Sequence, residues 1–291
     1  MPSAREINRR IKSVTNTQQI TKAMKMVSSV RLRRAQDRAV ATAPYTEKME
    51  GMLQRLSAAS PDAGNALFTP HDAVKKTCYI IIGSDKGLAG AFNSNVNKAM
   101  VSVLKDKPRD ASMLLVAGRK PIEYLKHLHL VPEKKWSGFS DKPQFSHAQQ
   151  IAHLATQKFL DGEVDEVYVI YTHFKSALSQ DTRIVKMLPI TQKEGQQEGQ
   201  QEGGPREEYL FAPDPKLVLD ALLPQYLDLF IYNSLLQSAA SELGARMTAM
   251  TSATDNAGEL IDKLTVTYNK VRQAGITNEL TEIVSGANAL Q

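Results

Sequence analysis

Residues 225–291 decide the fold, and they read QYLDLFIYNSLLQSAASELGARMTAMTSATDNAGELIDKLTVTYNKVRQAGITNELTEIVSGANALQ, with no proline. Apolar side chains recur here and just upstream at alternating steps of four and three residues, with Asn233 and Thr254 the only polar members. A heptad pattern sustained this far predicts a coiled-coil helix about 100 Å long. We call this set the C-terminal seam: Leu222, Tyr226, Leu229, Asn233, Leu236, Ala240, Leu243, Met247, Met250, Thr254, Ala257, Ile261, Leu264, Tyr268 and Val271.

The first 57 residues predict a second long helix. Ser3 and Glu6 have the spacing of an N-terminal capping box, and Pro44 predicts a kink. The six-residue step from Val14 to Ile20 predicts that the apolar stripe shifts around the helix there. The predicted stripe is Ile7, Ile11, Val14, Ile20, Met24, Val27, Val30 or Arg31, Tyr45, Met49, Met52 and Leu56.

A helix of this length needs a partner for its apolar stripe. One arrangement pairs the two terminal helices antiparallel, with the middle of the chain inserted between them. In the alternative, each helix packs separately on the middle, but that region is too small to cover both. We therefore expect an antiparallel two-helix coiled coil formed by the N- and C-terminal helices.

The middle of the chain alternates between short apolar runs and helical patterns, which is typical of an α/β domain with a mainly parallel sheet. Strands are predicted at 77–82, 113–117, 167–171 and 184–188, and helices at 94–104, 121–128 and 146–160, with Asn93 or Ser94 as a cap. The expected domains are an N-terminal helix (1–57), a central α/β domain (74–211) and a C-terminal helix (216–291). Residues 192–206 are low in complexity and predict a solvated surface loop.

Basic side chains are concentrated near the N-terminus. The chain carries a net charge of +5, but residues 1–38 alone hold ten Arg and Lys against two acids. A basic arm of this density suits an acidic partner, whether nucleic acid, anionic lipid or an acidic protein loop.

No active site, metal site or cofactor site is evident in the sequence. Cys78 lies in an apolar strand, and the six histidines lack metal-ligand spacing. Gly83–Gly90 follows a strand and precedes a helix, yet its lysine and glycines do not fit the Walker spacing. We interpret it as a structural turn. No apolar run reaches the length of a membrane span.

The end of the C-terminal helix differs from the rest. Arg272 and Gln273, followed by Thr277, Asn278 and Glu279, offer polar groups to a partner, although a solvated face is the simpler reading. Beyond them the side chains are small and apolar, and an exposed helix tip of this kind predicts a cover from outside the chain. These tip residues are Ile283, Val284, Ala287, Ala289 and Leu290.

Distinctive strings are spread over nearly the whole chain: IKSV (11–14), TQQITKAMKMV (17–27), SDKGLAGAFN (84–93), ARM (245–247), ATDNA (253–257), YNKVRQA (268–274), IT (276–277) and EIV (282–284). Together these strings resemble the γ-subunit family of F-type ATP synthases. The resemblance implies a noncatalytic rotor shaft with a Rossmann-like domain inserted in the coiled coil. Its implied partners are the α and β subunits of an α₃β₃ ring, the ε subunit and the c-subunit ring. It also implies a peripheral position on the cytoplasmic face of the bacterial plasma (inner) membrane.

The resemblance further implies which residues meet partners. Lys22, Lys25 and Met26 match positions near acidic lever loops of the β subunits. Arg272, Gln273 and Thr277 match a contact higher in the bore, Ile283 and Val284 match the sheathed tip, and Tyr209 and Phe211 match contacts to the c ring and ε.

The chain departs from the family pattern at three positions. Ala89 stands where the family often has cysteine, Ala212 where it has an acid after the aromatic pair, and Gly244 where it has alanine.

Two other functions have less support in the sequence. A nucleic-acid-binding protein with a basic coiled-coil arm would need aromatic reading residues, which the arm lacks. A nucleotide-binding enzyme would need a phosphate loop, which Gly83–Gly90 does not supply.

Overall fold

A computed structural model of the chain describes residues 3–59, 65–71, 73–105, 107–190 and 215–289. The chain divides into two compact units. The helical unit comprises Met1–Ser29 and Arg246–Gln291, and the sheet unit comprises Val30–Ala245.

Two long helices contribute to both units. Helix α1 runs from Ala4 to Ala59 and helix α5 from Pro215 to Ala289, and each continues through an internal proline, Pro44 or Pro224. The predicted capping box is confirmed, because the Ser3 amide donates to Glu6 Oε2 (3.1 Å) and the Glu6 amide donates to Ser3 Oγ (3.3 Å). These bonds satisfy backbone donors that the first turn of a helix leaves free.

The C-terminal seam is confirmed, since all fifteen of its side chains are buried or half-buried. In the helical unit, the Gln18 amide donates to the Thr254 carbonyl (3.4 Å) and also lies beside Gly258. Thr21 Oγ1 lies 2.8 Å from Thr254 Oγ1. Lower numbers on α1 therefore face higher numbers on α5, which confirms the antiparallel pairing.

The predicted stripe shift in α1 is wrong. Ile20, Val27 and Val30 are 60, 52 and 55% exposed, and Tyr45 and Met52 are also exposed; the side chain of Leu56 lies outside the described residues. Met24 of the predicted stripe is half-buried, but most of the buried or half-buried positions follow a different heptad series, interrupted only at exposed Lys25: Ile7, Ile11, Val14, Gln18, Thr21, Ser28, Leu32, Ala35, Ala39, Thr42, Thr46, Met49 and Leu53.

Hydrogen bonds explain why polar residues occupy these buried positions. Thr21 Oγ1 lies 3.0 Å from the Gln18 carbonyl as well as against Thr254, and Thr46 Oγ1 donates to the Thr42 carbonyl at 3.1 Å. Buried hydroxyls that keep a partner escape the cost of lost solvation. Apolar residues are consequently left on the outer face of the same helix.

The sheet unit contains a five-stranded sheet of order β3-β2-β1-β4-β5. Strands β1 (Thr77–Ile82), β2 (Ser112–Ala117), β3 (Lys134–Trp136) and β4 (Glu166–Phe174) are parallel, and the edge strand β5 (Gln180–Leu188) is antiparallel to β4. The helices are α2 (Phe92–Leu104), α3 (Arg119–His127) and α4 (Phe145–Leu160). This arrangement confirms the predicted α/β domain, although β3 was missed.

Both faces of the sheet are covered. Alternate β1 side chains, such as Ile80, pack in one core with α4 and the first half of α5. The side chains between them, such as Ile81, pack in a second core with α2 and α3. Every β1 residue is buried, as is typical of a parallel strand with helices on both sides.

Two further predictions have different outcomes. The predicted cap at Asn93 or Ser94 is wrong, because α2 begins at Phe92 and the Asn93 side-chain oxygen instead accepts a hydrogen bond from the Ser84 amide. The 192–206 loop lies outside the described residues. The domain limits 1–57, 74–211 and 216–291 stay predictions.

Candidate partner-binding surfaces

The turn from Gly83 to Gly90 lies at the carboxyl end of β1, where nucleotides bind in many doubly wound folds. Its own side chains fill the turn. Ser84, which is fully buried, donates through Oγ to the Lys86 carbonyl at 2.6 Å, and its Oγ lies 2.9 Å from Asn93 Oδ1. Leu88 and Gly90 both adopt positive φ angles near the end of the turn.

The Asp85 carboxylate accepts three backbone amides in this turn. Oδ1 accepts from Arg119 at the start of α3 (3.0 Å), and Oδ2 accepts from Gly138 (2.8 Å) and Ser140 (3.0 Å). Amides at a helix start and in nearby loops are the donors that a bound phosphate uses. Here the chain supplies the anion itself, and the cavity beside it measures only about 10 Å³. The geometry thus agrees with a structural turn.

The predicted contact residues of α1 lie exposed in the helical unit. Lys22, Lys25 and Met26 all present their side chains to solvent, with Met26 57% exposed. Lys22 and Met26 are four residues apart and therefore lie on one face of the helix. An exposed methionine beside exposed lysines can meet a partner that is both acidic and apolar.

The predicted contact residues of α5 are exposed too. Every side chain from residue 272 to residue 288 is exposed, and we call this stretch the distal segment. Gln273 and Thr277 lie one turn apart, and Thr277 Oγ1 donates to the Gln273 carbonyl. The large apolar residues of the distal segment recur at steps of four, three and one, which places them on one side of the helix: Ile276, Leu280, Ile283 and Val284.

A basic cleft of about 380 Å³ lies in the sheet unit. Arg31, Arg34 and Arg38 of α1 and Lys142 line it, above an apolar floor that includes Leu236. One acid faces them: Asp141 Oδ2 lies 2.5 Å from Arg31 Nη1 and 3.1 Å from Lys86 Nζ. The sequence analysis missed this meeting, because Arg31 and Asp141 are 110 residues apart and no local motif connects them.

Asp141 is ionised more readily than an ordinary aspartate. Partial burial opposes ionisation of its carboxyl group, but the hydrogen bond from Lys86 and the positive charges of Lys86 and Arg31 outweigh burial. Together they lower the pKa of Asp141 below its usual value.

The remaining candidates form no reactive centre. Burial raises the pKa of the Cys78 thiol to about 12, so the thiol stays protonated and inert. In the described part of the chain, no group of three or more His, Cys, Asp or Glu side chains could hold a metal ion. Tyr209 and Phe211 lie outside the described residues.

Asp228 of α5 is a buried acid with few partners. Its side chain is 6% exposed, Oδ1 has no hydrogen-bond partner, and Oδ2 lies 3.3 Å from Gln149 Nε2 and 3.6 Å from His153 Nε2. Burial raises the pKa of this carboxyl group, and the contacts with Gln149 and His153 only partly oppose the rise. The sequence analysis did not single out Asp228, because nothing in the local helical pattern distinguishes it from an exposed aspartate.

No helix within the described ranges is long and apolar enough to cross a membrane. This holds for α5 as well, although α5 has 75 residues.

Comparison with known proteins points to one family for the chain as a whole. The family model for ATP synthase matches residues 3–290. The ATP synthase gamma chain of Heliobacterium modesticaldum is 42% identical over 292 residues, covering all of both chains. That of Chlorobaculum parvum is 40% identical over 296 residues, again covering all of both chains.

Solved structures have the same fold. One chain of the Euglena gracilis mitochondrial ATP synthase (OSCP/F1/c-ring) gives a TM-score of 0.71 at 20% identity, covering 99% of this chain and 94% of that one. One chain of the Tetrahymena thermophila mitochondrial ATP synthase central stalk/c-ring gives 0.61 at 25% identity, covering 80% and 99%.

Nothing in these comparisons supports the nucleic-acid-binding alternative. Full-length relatives at about 40% identity share one description, and the fold is shared with a chain of an ATP synthase central stalk/c-ring structure. The chain therefore belongs to the gamma-chain family of ATP synthases, the noncatalytic central-stalk subunits of these complexes.

Proposed function

We propose that this chain is a rotor shaft that carries rotation between a c-subunit ring and an α₃β₃ ring. Its distal segment would turn inside the α₃β₃ ring. The observation that carries this proposal is the exposed apolar side of that segment, where Ile283 is 67% and Val284 57% exposed. A folded chain rarely leaves a row of large apolar groups uncovered unless another chain covers them.

A shaft must turn within the surrounding ring. Strong contacts between the shaft and the ring therefore cannot persist at every rotational position. We assign Ile283 and Val284 to a smooth apolar sleeve that the α and β subunits provide. Arg272, Gln273 and Thr277 are assigned to a polar contact with a β subunit nearer the middle of the bore. Both assignments extend the family resemblance to the exposed positions of α5.

Lys22, Lys25 and Met26 are assigned to acidic loops of the β subunits. The surplus of positive charge on residues 1–38 supports this assignment, because charge attraction acts over distance and tolerates rotation better than interlocking side chains do. Tyr209 and Phe211 are assigned, by family resemblance alone, to contacts with the c ring and the ε subunit.

The proposed location is the cytoplasmic face of a bacterial plasma (inner) membrane, with the chain peripheral to the bilayer. Relatives from bacteria such as Heliobacterium modesticaldum match the whole length of the chain, which supports a bacterial origin.

The assignment of the distal segment can be tested with two matched pairs of substitutions. Ile283→Asp with Val284→Asp places charges on the apolar side, whereas Thr281→Asp with Ser285→Asp places the same charges on the opposite side. The assembled complex would be purified through a tag, and its subunit masses and ATP-driven proton pumping measured. Burying a carboxylate in an apolar sleeve is costly, so the first pair should impair pumping far more than the second.

Equal pumping by both variant complexes would contradict the sleeve. Purification of the unaltered chain without larger subunits would contradict the shaft itself.

A further inference from the structure

The loop from Gly138 to Pro143 is held firmly by the sheet. Asp85 Oδ2 accepts the amides of Gly138 and Ser140, and the Asp85 amide donates to Ser140 Oγ at 2.9 Å. Bonds in both directions between Asp85 and Ser140 leave the loop little freedom. Asp141 follows immediately, so the sheet sets the position of its carboxylate.

The same carboxylate contacts α1. Asp141 Oδ2 lies 2.5 Å from Arg31 Nη1 and 3.1 Å from Lys86 Nζ, with the Asp141 side chain 21% exposed. Lys86 is itself the residue after Asp85. The arrangement therefore joins the carboxyl end of β1, the 138–143 loop and one side chain of the long helix.

The domain holds α5 by a different set of bonds. The Thr172 amide of β4 donates to Ser238 Oγ, and Ser241 Oγ donates to the Thr172 carbonyl, each at 3.1 Å. The Phe174 amide donates to Gln237 Oε1, also at 3.1 Å. These side chains span more than one turn of α5 and fix which face it presents to the sheet.

Near Arg31, helix α1 buries apolar side chains such as Leu32 and Ala35. Apolar contact resists separation, but it has little directional preference. A charged hydrogen bond between defined atoms has both a length and a direction. The Arg31–Asp141 contact can therefore hold the rotational position of α1 where apolar packing alone would allow it to roll.

We propose that the Arg31–Asp141 pair, positioned by Asp85 and assisted by Lys86, ties α1 to the α/β domain so that torque on the domain reaches both long helices. Arg31 and Asp141 are positioning residues in this role. The role in torque rests on the proposed rotor function, whereas the tie itself is a property of the chain alone.

The test uses charge reversal and its rescue. Arg31→Asp and Asp141→Arg each break the pair, and the double variant restores it in the opposite sense. Protons pumped per ATP hydrolysed in the assembled complex should fall by about two- to fivefold in the single variants, as expected for a partly exposed pair. The double variant should regain at least half of the loss. Asp141→Asn, which is nearly isosteric, should show a smaller loss in the same direction.

Arg33→Asp is the matched control. It makes the same charge change on the same helix, and the structure shows no ion pair between Arg33 and Asp141. Adding Asp141→Arg must not rescue it. Failure of the Arg31 and Asp141 double variant to rescue, or equal rescue of Arg33→Asp, would overturn the proposal in favour of a general charge effect.

A second measurement examines the tie without the motor. Spin labels on exposed Asp37 of α1 and Gln150 of α4 would report the distance between the helices in the isolated full chain, in a Cys78→Ala background. The single variants should broaden the distance distribution, and the double variant should narrow it again. An unchanged distribution would overturn the tie. A broadened distribution with normal pumping would overturn only its role in torque.

Discussion

The sheet unit and the helical unit treat apolar side chains in opposite ways. In the described part of the helical unit only three apolar residues are buried, Ile7, Met250 and Ala257, while nine large ones are exposed. The sheet unit contains the remaining buried core, on both faces of its sheet. The sheet unit therefore contains most of the buried core, whereas the helical unit buries a narrow seam and leaves large apolar side chains exposed.

This contrast separates stability from function. Burial removes apolar area from water and stabilises the fold by about 25 cal/mol per Å². Side chains such as Ile20 and Ile283 gain almost nothing from this effect in the isolated chain. The proposed function gives the exposed apolar side of the distal segment, which includes Ile283, a use in the complex, where other subunits would cover it.

The largest expected effect tests where stability lies. Ile80→Ala in β1 removes a fully buried side chain and should lower the free energy of unfolding by about 3 kcal/mol, within the range for buried isoleucine. Ile20→Ala, at an exposed site, should change it by less than about 0.5 kcal/mol. Urea unfolding would give the free energy of unfolding of each variant. Similar losses in the two variants would contradict the contrast between the units.

The next prediction concerns the seam within the helical unit. Leu264→Asp places a charge in the half-buried seam and should weaken local helix pairing by about 2 kcal/mol. Leu260→Asp, at a site that is 45% exposed on the same helix, should have little effect. Amide hydrogen exchange from 250 to 271 would show the difference. Equal protection in the two variants would contradict the coiled-coil pairing.

A smaller effect is expected inside the sheet unit, at Asp228. Because its carboxyl pKa is raised by burial, the folded state binds a proton more tightly than the unfolded state. This group therefore favours folding at low pH, and the benefit is lost as pH rises through the raised pKa. Asp228→Asn should therefore stabilise the chain near neutral pH, and the gain should shrink as the pH is lowered towards 4.

The measurement is urea unfolding at the two pH values, with Asp262→Asn as the control at an exposed site of the same helix. A gain that is equal at both pH values would show that the raised pKa of Asp228 is not its cause.

The smallest predicted effect compares two helical glycines. Gly275 has no atom within 4 Å of an added Cβ, so Gly275→Ala should stabilise the distal part of α5 by up to about 1 kcal/mol. At Gly244 an added Cβ would lie 3.2 Å from Phe174 and 3.3 Å from Ala177. Crowding should cancel the gain there. Thermal unfolding followed by helical circular dichroism would compare the variants. An equal gain in stability at both sites would show that Phe174 and Ala177 move aside without cost.

The sequence predicted the long helices and most strands because their patterns are local. The heptads of α5 and the buried run of β1 can each be recognised without knowing what they touch. The stripe of α1 was misassigned at Ile20, because its true seam passes through Gln18 and Thr21, whose burial depends on Thr254 more than 200 residues away. Strand β3 was missed because it has three residues, two of them lysine.

The partner-binding surfaces were predictable to a different degree. Family strings led to Lys22, Met26 and Arg272, and the structure shows these side chains exposed, while their contacts stay predictions. The Arg31–Asp141 pair could not be predicted, since it depends on how the 138–143 loop folds over Asp85. Ion pairs of this kind depend on the tertiary structure, and no local sequence pattern indicates them.

The Asp85 carboxylate has a consequence for how the shaft behaves in a changing cell. A domain that needs a bound ligand becomes firmer or softer as the concentration of that ligand changes. Here the anion at the end of the sheet is part of the chain, so its supply never varies. This part of the α/β domain is therefore held by the chain's own carboxylate, and its stabilisation does not depend on the concentration of a bound anion.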